Sequence, residues 1–224
     1  MRWFGRRPAD LPDTVRAYLE AAEPEARLPW REAPYTVLDV ETTGLDARAD
    51  ALLAIGLVDV ERGQVLLESC WRTLVRPPAD APLRPDAIAV TGLLRGDTSE
   101  APEEDEVLPA LLRRLAGRVL VVHVAAVDVA FLNQALRRRY GVRLRGPTID
   151  TARLATRLHH SARLMGGGDE PPAIQLRALC TSLGLPTYAE HDALSDAITT
   201  AQLFLAQATR LEAQGRRTLG GLLR

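Results

Sequence analysis

Four acidic residues and one histidine lie in three separated clusters of the chain. Asp39 and Glu41 end an apolar run, so in an extended strand their carboxylates point to the same face. Asp128 follows a second apolar run, and His191 stands five residues before Asp196, at the start of a long amphipathic segment. Neighbouring carboxylates repel each other unless a cation or a proton lies between them. Because Mg²⁺ and Mn²⁺ prefer oxygen ligands, the four carboxylates predict a divalent metal site.

The histidine of the third cluster has a different chemistry. An imidazole titrates near neutral pH, which suits a general base that accepts the proton of a water molecule. On a regular helix, residues five positions apart differ in direction by about 140°. We therefore expect His191 to lie in the loop before the helix or in its first turn, with Asp192 as a candidate N-cap, so that His191 and Asp196 can face one site.

Together the clusters resemble the three motifs of the DEDD superfamily of 3′→5′ exonucleases. The position of His191 points to the DEDDh branch, typified by the epsilon proofreading subunit of bacterial DNA polymerase III. The resemblance covers residues 34–213. It implies the ribonuclease-H-like fold, an α/β three-layer domain with a mixed five-stranded sheet and helices on both faces. It also implies two divalent metal ions, Mg²⁺ or Mn²⁺, held by the four carboxylates, with His191 as the general base.

The resemblance further assigns two segments to the 3′-terminal nucleotide of a substrate. A turn that contains glycine exposes backbone N–H groups and lets a ligand approach closely. Leu45 would be an apolar wedge against the terminal base, and the second segment, 89–93, would line the pocket. Gly92 equally fits a left-handed helix C-cap, and both roles can hold at once. The implied substrate-binding residues are Thr42, Thr43, Gly44, Leu45, Thr91 and Leu93.

The second motif departs from the usual family pattern H-N-x-x-F-D. This chain reads His123-Val124-Ala125-Ala126-Val127-Asp128, so the metal ligand is kept while Val124 replaces an asparagine and Val127 an aromatic residue. We expect the chemistry to persist and the positioning of the nucleotide and the local packing to differ. The departure favours a stand-alone, epsilon-like exonuclease over a replicative proofreading subunit.

Other polar residues near the motifs receive structural interpretations. Asp150 precedes a helical segment and is predicted to be its N-cap, whereas Asp46 and Asp50 are predicted to be solvated in the loop after the first motif. His159-His160 is predicted to end a helix, where imidazole complements the helix dipole. For His123, beside the site, a supporting role and a purely structural one are equally compatible with the sequence.

Composition describes an ordinary globular protein. The chain has 224 residues, of which 46% are hydrophobic and 25% charged, with a net charge of −1 and no lysine. This charge suits an enzyme that holds only a few terminal nucleotides rather than a duplex-binding protein. Cys70 and Cys180 give neither a disulfide framework nor a zinc spacing. Since we find no signal peptide and no apolar run of membrane-spanning length, we expect a cytoplasmic protein that does not bind membranes.

We predict three parts in the chain. Residues 1–33 form an N-terminal extension with a short helix, in which Trp30 is a candidate anchor onto the domain. Residues 34–213 form the exonuclease domain, and 214–224 a short C-terminal tail. The glycine-rich segment 165–172 and the loop 185–191 are expected to be mobile without metal or nucleotide.

The predicted substrates are single-stranded or frayed 3′ ends, with DNA favoured over RNA and nucleoside 5′-monophosphates as products. The alternative is a 3′→5′ exoribonuclease of the oligoribonuclease or tRNA-trimming type, because the contact to the 2′-hydroxyl that separates the two cannot be read from the sequence. A third reading is a non-catalytic module that binds a polymerase or repair protein. A polymerase or repair partner and a homodimer are both compatible with the sequence.

Overall fold

A five-stranded mixed sheet forms the centre of the computed structural model, which describes residues 11–79, 81, 85–164, 173–188 and 191–223. The strand order is β3-β2-β1-β4-β5. The first three strands are antiparallel neighbours, and β4 and β5 run parallel to β1. The strands are β1 (Tyr35–Thr42), β2 (Leu52–Glu61), β3 (Gln64–Leu74), β4 (Val119–Val122) and β5 (Thr148–Asp150).

Helices lie before the first strand, between β3 and β4, between β4 and β5, and after β5. The long segments with helical periodicity become the longest helices, and the short ones fill the connections between them. In chain order the helices are α1 (Asp13–Glu20), α2 (Pro85–Thr91), α3 (Arg95–Ser99), α4 (Glu104–Leu115), α5 (Ala125–Tyr140), α6 (Thr151–Leu164), α7 (Leu176–Ser182), α8 (Ala193–Ala213) and α9 (Leu219–Leu223).

The sheet buries both of its faces, as the alternation along its strands requires. In β1, Leu38 and Val40 join one core with α1, α4 and α5, whereas Tyr35 and Val37 join a second core with α6, α8 and α9. Strand β4 alternates in the same way between the two cores. The predicted three-layer α/β architecture with helices on both faces is therefore confirmed.

This topology brings the sequence clusters to one edge of the sheet. Strands β1 and β4 are parallel, so their carboxyl ends lie side by side, and ligand sites of open α/β sheets form at such edges. Asp39 and Glu41 share the face of Tyr35 and Val37, which α8 covers. Helix α5 begins directly beyond β4 and carries Asp128 in its first turn.

The segments before and after the predicted domain pack against it and against each other. Trp30 is buried, with its ring edge-on to Phe204 of α8 at 6.2 Å between centroids. Its backbone N–H donates to the carbonyl of Arg217 at 3.0 Å. The segment before the domain contains the short helix α1. Helix α9 was not predicted, because five residues are too few to show a helical period, although its Leu219 and Leu222 are buried.

Two expectations about segments need separate comment. Helix α6 continues to Leu164, so His159-His160 lies before its last turn and the predicted role at a helix end was wrong. Residues 165–172, predicted to be mobile, lie outside the described residues, as do 189 and 190. Among the helices that are described, none is long and apolar enough to cross a membrane.

Candidate active site

Three carboxylates from the first and third clusters meet beside the end of β1. One oxygen each from Asp39, Glu41 and Asp196 lies within 4.8 Å of the other two. Asp39 and Glu41 come from one strand, and Asp196 comes from the first turn of α8, which lies on the same face of the sheet. A cluster of oxygen donors that belong to different elements has the chemistry of a site for a hard divalent cation.

Asp128 approaches the same place from α5. Its carboxylate is buried and accepts a hydrogen bond from the backbone N–H of Val40, next to Asp39. Its negative charge raises the pKa of Asp39, although Asp128 is not one of the three carboxylates whose oxygens lie within 4.8 Å of one another. The second cluster is therefore adjacent to the other two, as predicted.

Burial and mutual repulsion raise the pKa values of three of these carboxyl groups, those of Asp39, Glu41 and Asp128. Burial, followed by the charges of Asp128 and Glu41, raises the pKa of Asp39 well above its ordinary value. Burial raises the pKa of Glu41 to about 7 and that of Asp128 to about 8. Positive charge between the carboxylates would reverse these shifts. The residues present therefore fit a bound divalent metal ion.

His191 lies in the loop before α8, as predicted. Asp192 is the N-cap of α8, and its carboxylate accepts a hydrogen bond from the N–H of Ser195 at 3.1 Å. The backbone of His191 is left-handed, with φ of 60°, and its N–H donates to Asp196 Oδ2 at 2.8 Å. The loop thus fixes the Asp196 carboxylate through the main chain.

Gly56 is a functional position that the sequence interpretation missed. It lies opposite Asp39 in the pairing of β1 with β2. A Cβ atom at this position would lie 2.2 Å from the carbonyl carbon of Ala193 and 2.2 Å from the nitrogen of Leu194. The beginning of α8 therefore rests directly on the backbone of β2, which only glycine permits. A glycine inside an apolar strand signals such a close approach and could have revealed it.

Arg72 was also missed. In the pairing of β2 with β3 it lies opposite Gly56, and its Nε is 3.0 Å from Asp192 Oδ1. Its positive charge lowers the pKa of Glu41, against the larger effect of burial. This arginine connects β3 to the loop that carries His191. An isolated arginine in a strand gives no sequence signal of such a contact.

The loop after the first motif is organised by Asp50. We predicted that this residue is solvated, which is wrong, because it is buried. Its carboxylate accepts a hydrogen bond from the N–H of Asp46 at 2.9 Å. A Cβ atom at Gly44 would lie 2.4 Å from Asp50 Oδ2, so the glycine makes room for the carboxylate. The acidic side chain turns inward because it satisfies donors of the loop.

The predicted substrate-binding residues of this loop differ in accessibility. Thr43 is fully buried, and its Oγ1 accepts from the N–H of Ala51 at 3.0 Å, so it shapes the loop from inside. Thr42 is half-buried and donates from Oγ1 to the carbonyl of Gly44 at 2.6 Å. Leu45 is 84% exposed. The loop therefore presents the apolar side chain of Leu45 to solvent, while the hydrogen bonds of Thr42 and Thr43 hold the loop in place.

The second predicted substrate segment forms a helix end. Gly92, with φ of 68°, follows α2 and donates from its N–H to the carbonyl of Ile88 at 2.8 Å, which confirms the left-handed C-cap. Thr91 Oγ1 donates to the carbonyl of Ala87 and accepts from the N–H of Leu93 at 3.1 Å. These bonds fix the backbone of Thr91 and Leu93.

The second motif turns sharply at Val124, which has φ of 61° and ψ of 65°. The carboxylate of Asp150 holds this turn by accepting hydrogen bonds from the N–H groups of Val124 and Ala125, both at 3.1 Å. The same carboxylate accepts from the N–H of Ala152 at 2.9 Å, so Asp150 caps α6 as predicted and the start of α5 as well.

His123 supports the same region through both ring nitrogens. Its Nε2 donates to the carbonyl of Ile174 at 2.8 Å, and its Nδ1 lies 2.8 Å from Thr151 Oγ1. Burial lowers the pKa of the imidazole, which favours the neutral form. His123 thus connects the end of β4 to α6 and to the segment before α7.

We predict that Val124→Asn stabilises the protein by about 1 kcal/mol, because left-handed backbone costs a β-branched residue about this much and asparagine tolerates it. The melting temperature should rise by roughly 2–4 °C and the metal requirement of any activity should not change. Val124→Ala is the matched control, since it removes the branch and leaves a left-handed residue with a Cβ atom. A melting temperature at or below that of the wild type would show that the turn is unstrained.

Comparisons with known proteins place these features in a wider context. The family model RNase_T, described as Exonuclease, matches residues 36–204. The chain is 33% identical over 176 residues to a DNA polymerase III PolC-type of Thermotoga petrophila. The aligned region covers 79% of this chain and only 12% of that much longer protein. It is 26% identical over 174 residues to DNA polymerase III subunit epsilon of Aquifex aeolicus, covering 78% of this chain and 80% of that subunit.

The fold also resembles solved structures. E. coli Exonuclease I in complex with a dT13 oligonucleotide matches with a TM-score of 0.67 at 16% sequence identity, over 82% of this chain and 43% of that chain. The predicted ribonuclease-H-like fold is thereby confirmed. The range matched by the family model contains all five residues of the predicted catalytic site.

Proposed function

The chain belongs to the RNase_T exonuclease family, and from this premise we propose that it removes nucleotides from the 3′ ends of single-stranded or frayed DNA. The reaction needs divalent metal ions and releases nucleoside 5′-monophosphates. The observation that carries the proposal is the meeting of Asp39, Glu41 and Asp196 within 4.8 Å, with buried Asp128 beside them. An intact set of acidic ligands argues against a non-catalytic binding module.

Each residue of the cluster receives a role. Asp39, Glu41 and Asp196 would hold the divalent metal ions, and Asp128, buried beside them, would help to hold them. When bound, such a metal pair supplies positive charge to the attacking and leaving oxygens of the phosphodiester. His191 accepts the proton of the attacking water, while the bond between phosphorus and the 3′ oxygen of the preceding nucleotide breaks.

The substrate is proposed from the relatives and from the loop after β1. The matched structure of Exonuclease I holds a DNA oligonucleotide, and the matched epsilon subunit belongs to a DNA polymerase. Leu45, held exposed above the loop, supplies an apolar surface for the terminal base. The proposed partner is a polymerase or repair protein, and the proposed metal ions are Mg²⁺ or Mn²⁺. An RNA substrate is the alternative.

The test uses 5′-labelled single-stranded DNA and RNA of one sequence with Mg²⁺, Mn²⁺ or EDTA. We expect a ladder that shortens from the 3′ end, requires metal and is absent with Asp39→Ala. The faster substrate distinguishes the DNA and RNA readings. Binding of either strand without degradation under all conditions would replace the proposed enzyme with a binding module.

A further inference from the structure

Three arginines and a histidine line a cleft between α6 and the C-terminal end of α8. The cleft has a volume of about 730 Å³. Arg153, Arg157 and His160 come from α6, and Arg216 comes from the turn after α8. Among the residues that the structure describes, no acidic side chain lines it. The other lining residues are Thr156, Ser161, Leu164, Leu211 and Gln214.

The arginines of this cleft differ from other arginines of the chain in their partners. Within the described ranges no ion pair involves Arg153, Arg157 or Arg216. Burial, and after it the charges of Arg216 and Arg153, lower the pKa of Arg157, so the cations repel one another. An anion in the cleft would relieve this repulsion. By contrast, ion pairs form at Arg72, Arg76, Arg118, Arg138 and Arg145.

The cleft is partly preorganised. Arg157 donates from one guanidinium nitrogen to the carbonyl of Gly221 at 2.9 Å and from another to that of Leu222, which holds the side chain in place. Arg153, Arg157 and His160 follow the spacing i, i+4 and i+7, which places them on one face of α6. At the helical rise this face extends over about 10 Å, which is enough to meet more than one phosphate group.

We propose that this cleft is an accessory site for the sugar–phosphate backbone of single-stranded nucleic acid, away from the carboxylate cluster. The inference rests on the proposed function, since it extends the contact between this chain and the same substrate. Leu164 is 78% exposed at the cleft and offers an apolar contact to a sugar or base, which inorganic phosphate would not use. Arg153 lies two residues beyond Thr151, which contacts His123 of the second motif.

The test compares binding with chemistry on a minimal substrate. Binding of a labelled 20-nucleotide DNA strand is measured by fluorescence anisotropy at several salt concentrations, with Asp39→Asn in every protein to prevent degradation. Arg153→Ala/Arg216→Ala is compared with Arg113→Ala/Arg143→Ala, which removes the same charge from exposed positions outside the cleft. Arg157 is left intact because it also holds α9. Hydrolysis of a nitrophenyl ester of thymidine 5′-monophosphate is measured without the Asp39 change.

We expect the cleft variant to bind the strand about tenfold more weakly, and its salt slope to be smaller by about 1.4, at roughly 0.7 for each lost phosphate contact. The control should match the parent protein, and ester hydrolysis should persist in all of them. If the cleft variant and the parent protein show equal affinities and salt slopes while the ester is hydrolysed, the proposed role of the cleft is wrong and the proposed function stands. Absence of ester hydrolysis from the wild type would instead count against the proposed function.

Discussion

Gly56→Ala is expected to lower the exonuclease activity by at least about 100-fold, because a displacement of about 1 Å in a catalytic group has effects of this size. The added methyl group would lie 2.2 Å from main-chain atoms of Ala193 and Leu194, which cannot move as a flexible side chain can. The beginning of α8 must therefore shift away from β2. That shift moves Asp196 away from Asp39, the residue opposite Gly56. The measurement is kcat and KM on single-stranded DNA.

The same substitution should reduce the free energy of unfolding by about 1–3 kcal/mol, as overpacking of a filled core does. Gly96→Ala, in α3, is the matched control, since among the described residues no atom beyond its own helix backbone and chain neighbours lies within 4 Å of a Cβ built at Gly96. It should retain activity and stability. We expect kcat to fall more than KM rises for Gly56→Ala, because the ligand geometry changes while the nucleotide loop remains. Activity within threefold of the wild type would mean that α8 is not positioned by this contact.

The elements that carry the chemistry could be predicted because each has a strong local pattern. The run before Asp39 alternates between two cores, the run before Asp128 is apolar throughout, and α8 has a clear capping residue. The parallel arrangement of β1 and β4 then brings the three clusters together, which the family resemblance implied.

The contacts that hold the site in place could not be predicted, because they join residues distant in sequence. Gly56 and Arg72 act through the strand register, which sets what lies opposite Asp39. From the sequence Asp50 is an ordinary polar loop residue, because the N–H group of Asp46 that its carboxylate binds becomes apparent only in the folded loop. In each case the sequence gives the residue type and the fold supplies its partner.

The charge of the chain illustrates the same limit. A net charge of −1 predicted a protein with few nucleic-acid contacts, yet this value sums over the entire chain. Folding separates the charges, so that no acidic residue of the described ranges lines the cleft of Arg153, Arg157 and Arg216. Total charge therefore describes the protein at long range and does not describe its individual surfaces.

At Val124 the sequence departs from the family pattern, and the structure shows what this departure changes. The family pattern has asparagine at this position, and the left-handed backbone explains why, because asparagine adopts that conformation with little strain. The valine keeps the turn because the carboxylate of Asp150 accepts hydrogen bonds from the N–H groups of Val124 and Ala125. The departure in sequence thus changes the cost of the turn and leaves its geometry in place.

Removal of divalent metal ions is expected to destabilise the protein, and more strongly at pH 8 than at pH 6. The pKa values of Glu41 and Asp128, about 7 and about 8, lie above the values of about 4 expected in the unfolded chain. Folding without metal therefore takes up protons, and the metal-free protein loses stability as the pH rises from about 4 towards 8. Metal ions replace these protons, so their stabilisation grows over the same range.

At a Mg²⁺ concentration of 100 times Kd, the stabilisation should be about 2.7 kcal/mol, or roughly 5–10 °C in melting temperature.

Asp39→Asn keeps the volume of the side chain and removes its charge. We expect this variant to lose most of the Mg²⁺ effect and all detectable activity, yet to melt above the wild type at pH 8 in EDTA, because one repelling carboxylate is gone. Asp13→Asn, at an exposed carboxylate of α1, is the control and should respond to Mg²⁺ as the wild type does. An equal Mg²⁺ response in Asp39→Asn would place the stabilising metal ion elsewhere. A wild type that is more stable at pH 8 than at pH 6 in EDTA would contradict the proton uptake.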